Sequence, residues 1–102
     1  MIRVSFLYPN EPGKKFDFDY FINKHMVTVD QRFKPFGLIR SEVDKGMGTT
    51  DKPALFIAAA HLYYNSVEDF QKCLSAHGAE VTADIPNYTD IPAQVQTSEI
   101  VK

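Results

Sequence analysis

The 102-residue chain is 44% hydrophobic and 24% charged with a net charge of -2, the composition of an ordinary globular protein with one small core, read as a single domain over residues 1–102. No basic patch is present to neutralise phosphates, which excludes a nucleic-acid partner, and no apolar run reaches the length of a membrane span. Cys73 is the one cysteine; this excludes an intrachain disulfide and a cysteine-based metal site, and with an N-terminus too short and alternating for a signal peptide it gives a reduced, cytoplasmic setting as the expectation.

Ile2, Val4, Phe6 and Tyr8 alternate with Arg3, Ser5 and Leu7, which predicts a strand from the N-terminus, ended by Pro9, Asn10, Pro12 and Gly13. The stretch FDFDYFINKHMVTVDQRF, Phe16 to Phe33, then sets Phe18, Phe21, Ile22, Val29 and Phe33 three, four and seven residues apart. That spacing draws an apolar stripe down a helix running from about Phe18 to Lys34. Asp17 is its expected N-cap, and Pro35 and Gly37 its expected stop. His25 lies on the stripe, seven residues after Phe18 and four before Val29. It is either a core histidine satisfied by one hydrogen bond or a functional imidazole.

Leu38 to Lys45 reads as a second strand, with Leu38, Arg40, Glu42 and Asp44 sharing a face whose charge suggests solvent or a sheet edge. Gly46 to Pro53, GMGTTDKP, reads as a loop without the spacing of a phosphate cradle. Leu55 to Tyr64 is the most apolar strand and reads as central, with the small Ala58, Ala59 and Ala60 leaving room for close helix packing or a ligand cavity. Ser66 caps a second helix with Asp69 three residues on and a stripe of Val67, Phe70, Cys73 and Leu74; Gly78 is an expected interruption, with a last helical turn or two over Glu80 to Asp84. Ile85 to Pro92 is irregular, and Ala93 to Val101 is the final strand. Asn87-Tyr88-Thr89 matches a glycosylation sequon by chance.

The order β-α-β-β-α-β is the ferredoxin-like arrangement, an α+β fold of a four-stranded antiparallel sheet with two helices on one face. Apolar residues on both faces of the third strand point to a homodimer whose sheets pack face to face, and the many Phe and Tyr residues fit surface held against a partner subunit.

The opening VSFLYPNEPGKKFD, the helix segment DYFINKHM, the strand segment Ala60-His61-Leu62-Tyr63-Tyr64 and the tail ADIPNYTDIPAQVQTSEIV together resemble the EthD family, named for a protein needed in bacterial ethyl tert-butyl ether degradation. The resemblance covers nearly the whole chain. It implies the dimeric α/β barrel, in which two ferredoxin-like subunits join their sheets with helices outside. It also implies a place in a degradation or biosynthetic pathway near an oxygenase system. The matching helix segment makes His25 the position that the family's histidine occupies; where the family commonly has proline after the methionine, this chain has Val27.

A neutral histidine in an apolar cleft can move a proton next to a carbonyl, given a polar group for the developing oxyanion. His25 and His61 are the catalytic candidates, and Tyr8, Phe18, Ile22, Tyr63 and Tyr88 the candidate contacts to a hydrophobic, oxygenated small molecule. For His61 and for each tyrosine the alternative is a structural residue. The three histidines lack metal-ligand spacing, so neither a metal nor a cofactor is expected. Two functions follow: a small isomerase, cyclase or lyase with a histidine base, or a non-catalytic accessory that holds such a compound for an oxygenase system.

Overall fold

A computed structural model describes residues 1–102. Alternation makes β1 (Ile2–Pro9) a central strand: Val4 and Tyr8 are buried toward the helices, with Ile2 and Phe6 packed beside them. β2 (Arg40–Lys45), β3 (Phe56–Tyr64) and β4 (Gln94–Glu99) complete one antiparallel sheet in the order β2-β3-β1-β4. The register sets Val4 opposite Leu62, Phe6 opposite Ala60 and Tyr8 opposite Ala58. Their side chains therefore share the helix-covered face, since side-chain direction alternates along a strand. β2 is an edge strand, in keeping with its run of exposed charge.

The first helical segment is not a uniform α-helix. α1 (Phe18–Tyr20) is capped by Asp17, whose carboxylate accepts from the Tyr20 amide at 3.1 Å. A π-helical turn, Phe21–His25, follows, closed by the Met26 amide donating to the Phe21 carbonyl, and α2 (Met26–Phe33) completes the run. The wider turn carries more residues per revolution than an α-helix, so it rotates the side chains beyond it. Phe21, His25, Met26, Val29 and Phe33 end up buried. Ile22, expected on the inward stripe, is 47% exposed instead. A 3₁₀ turn (Lys34–Phe36) ends the segment at Gly37, whose left-handed φ of 113° a glycine tolerates without strain.

α3 (Val67–Asp84) starts at Ser66, whose hydroxyl accepts from the Asp69 amide at 3.3 Å. It runs without a break through Gly78, where an interruption was expected. A mid-helix glycine costs only about 1 kcal/mol, and the packing of an 18-residue helix against the sheet outweighs that. Cys73 is fully buried on its inner face, whereas Val67 and Leu74, expected on the same stripe, are 40% and 45% exposed. Three boundaries also shift. Leu38 is buried before β2 begins and does not share its charged face. Leu55 is 83% exposed and precedes β3. β4 is shorter at both ends than Ala93–Val101.

An antiparallel clasp joins the two loops beside the helices. Phe16 bridges Thr89, the Asp17 amide donates to the Tyr88 carbonyl at 2.8 Å, and the Thr89 hydroxyl donates to the Lys15 carbonyl at 2.6 Å. The clasp fixes Tyr88, wholly buried, against the start of the first helical segment.

Replacing Gly37 by alanine should lower stability. The left-handed backbone costs about 1–2 kcal/mol for a residue with a Cβ, and that Cβ would lie 2.8 Å from the Asp69 side chain. Urea unfolding checks this; a midpoint equal to that of the unmodified chain would contradict it.

Candidate functional site

Between the helices and the sheet lies a cavity of about 80 Å³, floored by Phe6, Tyr8 and Ala60 and walled by His25, Val29 and Val81. β3 offers alanine at position 60, where a larger side chain would fill the space under α2 and α3. Eleven of its fourteen lining residues are hydrophobic, so a polar group facing it meets little competition from water. Leu74 and Thr82, exposed on the outer side of α3, mark its mouth.

His25 is the histidine on this cavity, and it is buried to 5% exposure. Its Nδ1 lies 3.0 Å from Asp84 Oδ2. Asp84 Oδ1 accepts from the Tyr20 hydroxyl at 2.6 Å and from the Asn87 side-chain amide at 2.8 Å. Burial pushes Asp84 upward, but the hydrogen bonds from Tyr20, Asn87 and His25 outweigh it and hold the carboxyl below its ordinary 3.8. An ionised carboxylate only accepts, so the proton of the imidazole is on Nδ1. Nε2 is then the unprotonated nitrogen, and it makes no hydrogen bond within the protein. Burial lowers the His25 pKa from its ordinary 6.5, opposed in part by the bond to Asp84. The outcome is a neutral imidazole with a fixed tautomer and a free lone pair, the form that accepts protons.

Aromatic rings hold this group in place. His25 stacks on Phe21 at 5.9 Å and lies 4.6 Å from the Tyr88 ring, and Phe21 lies 4.9 Å from Tyr88. The hydroxyls of Tyr8 and Tyr88 meet at 2.6 Å. Burial raises both phenols above their ordinary 10.0, so both stay protonated.

His25, Tyr8 and Tyr88 are thus brought together from three distant parts of the chain. Phe18 is half-buried, 4.7 Å from Phe16 and off the cavity lining, and Ile22 is largely exposed. His61 and Tyr63 lie on the opposite, uncovered face of the sheet, across from Ser5 and Arg3. His61 has both ring nitrogens engaged, Nδ1 with Ser5 Oγ at 2.8 Å and Nε2 with Asp44 Oδ2 at 2.7 Å. Tyr63 donates to Glu42 at 2.8 Å under the Arg40 guanidinium. Those two residues therefore belong to a separate polar layer and do not complement His25.

Asp84, Tyr20 and Asn87 were not singled out by sequence reasoning. One signal was available: Asp84 is the last residue of α3, where the helix dipole disfavours a carboxylate, so a donor from elsewhere was needed to hold it. No group of three or more His, Cys, Asp or Glu side chains gathers as a metal cradle, and no helix is long and apolar enough to cross a membrane.

The crystal structure of an EthD-like protein from Ralstonia eutropha JMP134 is similar over 99% of this chain and 92% of its own, with 35% identity and a TM-score of 0.93. The chain belongs to the EthD-like family. A second structure, of an EthD family protein from Bacillus halodurans C-125, matches this EthD-like chain with a TM-score of 0.78 and 18% identity, over 99% of each chain. A dimeric ferredoxin-like protein from an uncultured marine organism matches with a TM-score of 0.57 and 13% identity, over 99% of this chain and 94% of its own. These two establish the shared fold alone. No family model and no curated protein matches the sequence.

The depressed pKa of His25 makes stability of this EthD-like protein depend on pH. The unfolded chain takes up the imidazole proton near 6.5 and the folded chain only at lower pH. The stability from His25 is therefore complete above about 6.5 and is lost as pH falls below it, by no more than about 1.4 kcal/mol per pH unit. Asp84, also depressed, loses its contribution only below 3.8. Urea unfolding between pH 7 and pH 5 should show the decline in the natural chain and a flatter profile in His25→Gln (an unchanged slope would contradict the assignment).

Proposed function

We propose that this EthD-like protein binds a small, hydrophobic, oxygenated organic compound in the cavity between its helices and its sheet. In this reading His25 acts as a general base there, in an isomerase, cyclase or lyase reaction. The observation that carries the reading is the imidazole itself: on an apolar pocket, with Nδ1 held by Asp84 and no protein partner at Nε2. The chemistry follows from this. Nε2 takes a proton from carbon beside a carbonyl, Asp84 stabilises the imidazolium that forms, and the proton returns at a second position. The cavity holds about two or three water volumes, so it suits the reacting end of a substrate, with the rest projecting past Leu74 and Thr82.

The accessory reading, a holder of such a compound for an oxygenase system, uses the same cavity without the proton transfer. Proton–deuterium exchange into small ketones and lactones, followed by NMR, separates the two. The base reading expects exchange that His25→Gln slows by about 10² or more, with binding largely kept. Binding without exchange in the natural chain supports the accessory reading. If the natural chain exchanges and His25→Gln leaves the exchange unchanged, the base reading fails and His25 is structural; if the natural chain binds none of these compounds, the accessory reading fails with it.

The same proposal has two copies paired through the uncovered sheet face, closing a dimeric α/β barrel. Supporting it, Arg3 Nε is buried there without a partner, and Met47 and Leu55 stand exposed beside it. The face is more polar than β3 by itself suggests, because β2 and β4 contribute Arg40, Glu42, Asp44, Gln94, Gln96 and Ser98. Sedimentation at micromolar concentration should give twice the chain mass of 11.6 kDa; a stable monomer would reject the pairing.

A further inference from the structure

The Tyr8–Tyr88 pair leaves one proton unaccounted for. Both phenols are protonated, so two hydroxyl protons sit on two oxygens 2.6 Å apart. A single hydrogen bond joins the oxygens and consumes one proton. Neither hydroxyl bonds to any other group of the protein. A second O–H therefore remains to be donated, inside a buried aromatic cluster where an unused donor is costly. Tyr8 lines the cavity and Tyr88 does not. The arrangement that uses both protons has Tyr88 donating to Tyr8 and the Tyr8 hydroxyl directed into the cavity. Accepting a bond from Tyr88 also makes Tyr8 a stronger donor, since hydrogen bonds in a chain polarise one another.

We infer that the Tyr8 hydroxyl, backed by Tyr88, is the oxyanion donor of the site, and that it selects small enolisable carbonyl compounds as ligands. The inference rests on the base reading of His25 for turnover but not for binding. In the step it serves, the C–H bond next to the carbonyl breaks and its proton goes to His25 Nε2. The bonding pair becomes the carbon–carbon double bond of an enolate, and the carbonyl π pair moves onto oxygen. Tyr8 donates its hydrogen bond to that oxygen without transferring the proton, because its pKa is held above the ordinary phenol value. The imidazolium then returns its proton to carbon or to oxygen. Charge on the oxygen exists only during the reaction, so a donor fixed beforehand favours the transition state over the ground state. Tyr8 is the catalytic residue of the pair and Tyr88 a positioning residue.

Nitroethane and its conjugate base test this without the natural ligand. Ethyl nitronate is a planar anion with charge on oxygen, as an enolate has, and neutral nitroethane shares its size. The natural chain should bind the nitronate more tightly than nitroethane by calorimetry. Tyr8→Phe should weaken nitronate binding about 10- to 100-fold, as loss of a hydrogen bond to a charged group does, while leaving nitroethane within about threefold. Tyr88→Phe should produce the same selective loss to a smaller degree; a variant that merely loosens the core would weaken both ligands together. If Tyr88→Phe does not fold, Tyr8→Phe decides. No preference for the nitronate in the natural chain, or a preference unchanged in Tyr8→Phe, overturns the inference. The rate at which the protein deprotonates nitroethane tests His25 separately. If His25→Gln leaves that rate unchanged while Tyr8→Phe loses nitronate binding, the donor inference stands and the base reading fails.

Discussion

The bond between His25 and Asp84 joins the two halves of this fold at the point where each would otherwise be unstable. His25 is carried into the core on the first helical segment, and a buried imidazole without a partner costs about 1–3 kcal/mol. Asp84 is carried by the last residue of α3, where the helix dipole opposes a carboxylate. Each is the other's remedy, at 3.0 Å and across 59 residues of sequence. Tyr20 and Asn87 complete the carboxylate's partners, so Asp84 stays ionised and dictates which imidazole nitrogen holds the proton. The arrangement that stabilises the two helix positions is the same one that leaves Nε2 free.

The π-helical turn at Phe21–His25 is what allows this. A regular α-helix would keep Ile22 on the inward stripe. The wider turn gives that place to Met26 and turns Ile22 to solvent, while keeping both Phe21 and His25 in the core. The turn costs regular hydrogen bonding, and the aromatic contacts of Phe21 and His25 with Tyr88 offset that cost. Tyr88 is in turn held by the Phe16–Thr89 clasp. The cavity, the histidine and its supports are therefore one packing unit, made from β1, the first helical segment and the end of α3.

Much of the fold was legible because it rests on local signals. Alternation along Ile2 to Tyr8, the Asp17 and Ser66 caps, the Pro35 and Gly37 stop and the alanine-rich central strand all read directly into observed elements. The inward position of His25 was legible for the same reason. Ile22 was not, because a single π turn breaks the 3.6-residue period and no residue type announces it. Gly78 misled because tertiary packing overrides propensity. His61 and Tyr63 were grouped with His25 by residue type. Yet odd and even positions of a strand face opposite ways, and their odd numbers set them apart from Ala58, Ala60 and Leu62 on the covered face. The partner of Asp84 lay beyond local reading, since it is 59 residues away.

The central claim is the protonation state of His25, and NMR of the imidazole nitrogens and carbons across a pH titration measures it directly. The Nδ1–H tautomer is expected at neutral pH, with a midpoint below 6.5, in contrast to the Nε2–H form that most free imidazoles prefer. An Nε2–H tautomer would leave no lone pair at Nε2, and a midpoint above 6.5 would mean that Asp84 favours the imidazolium over the neutral ring; either contradicts the account.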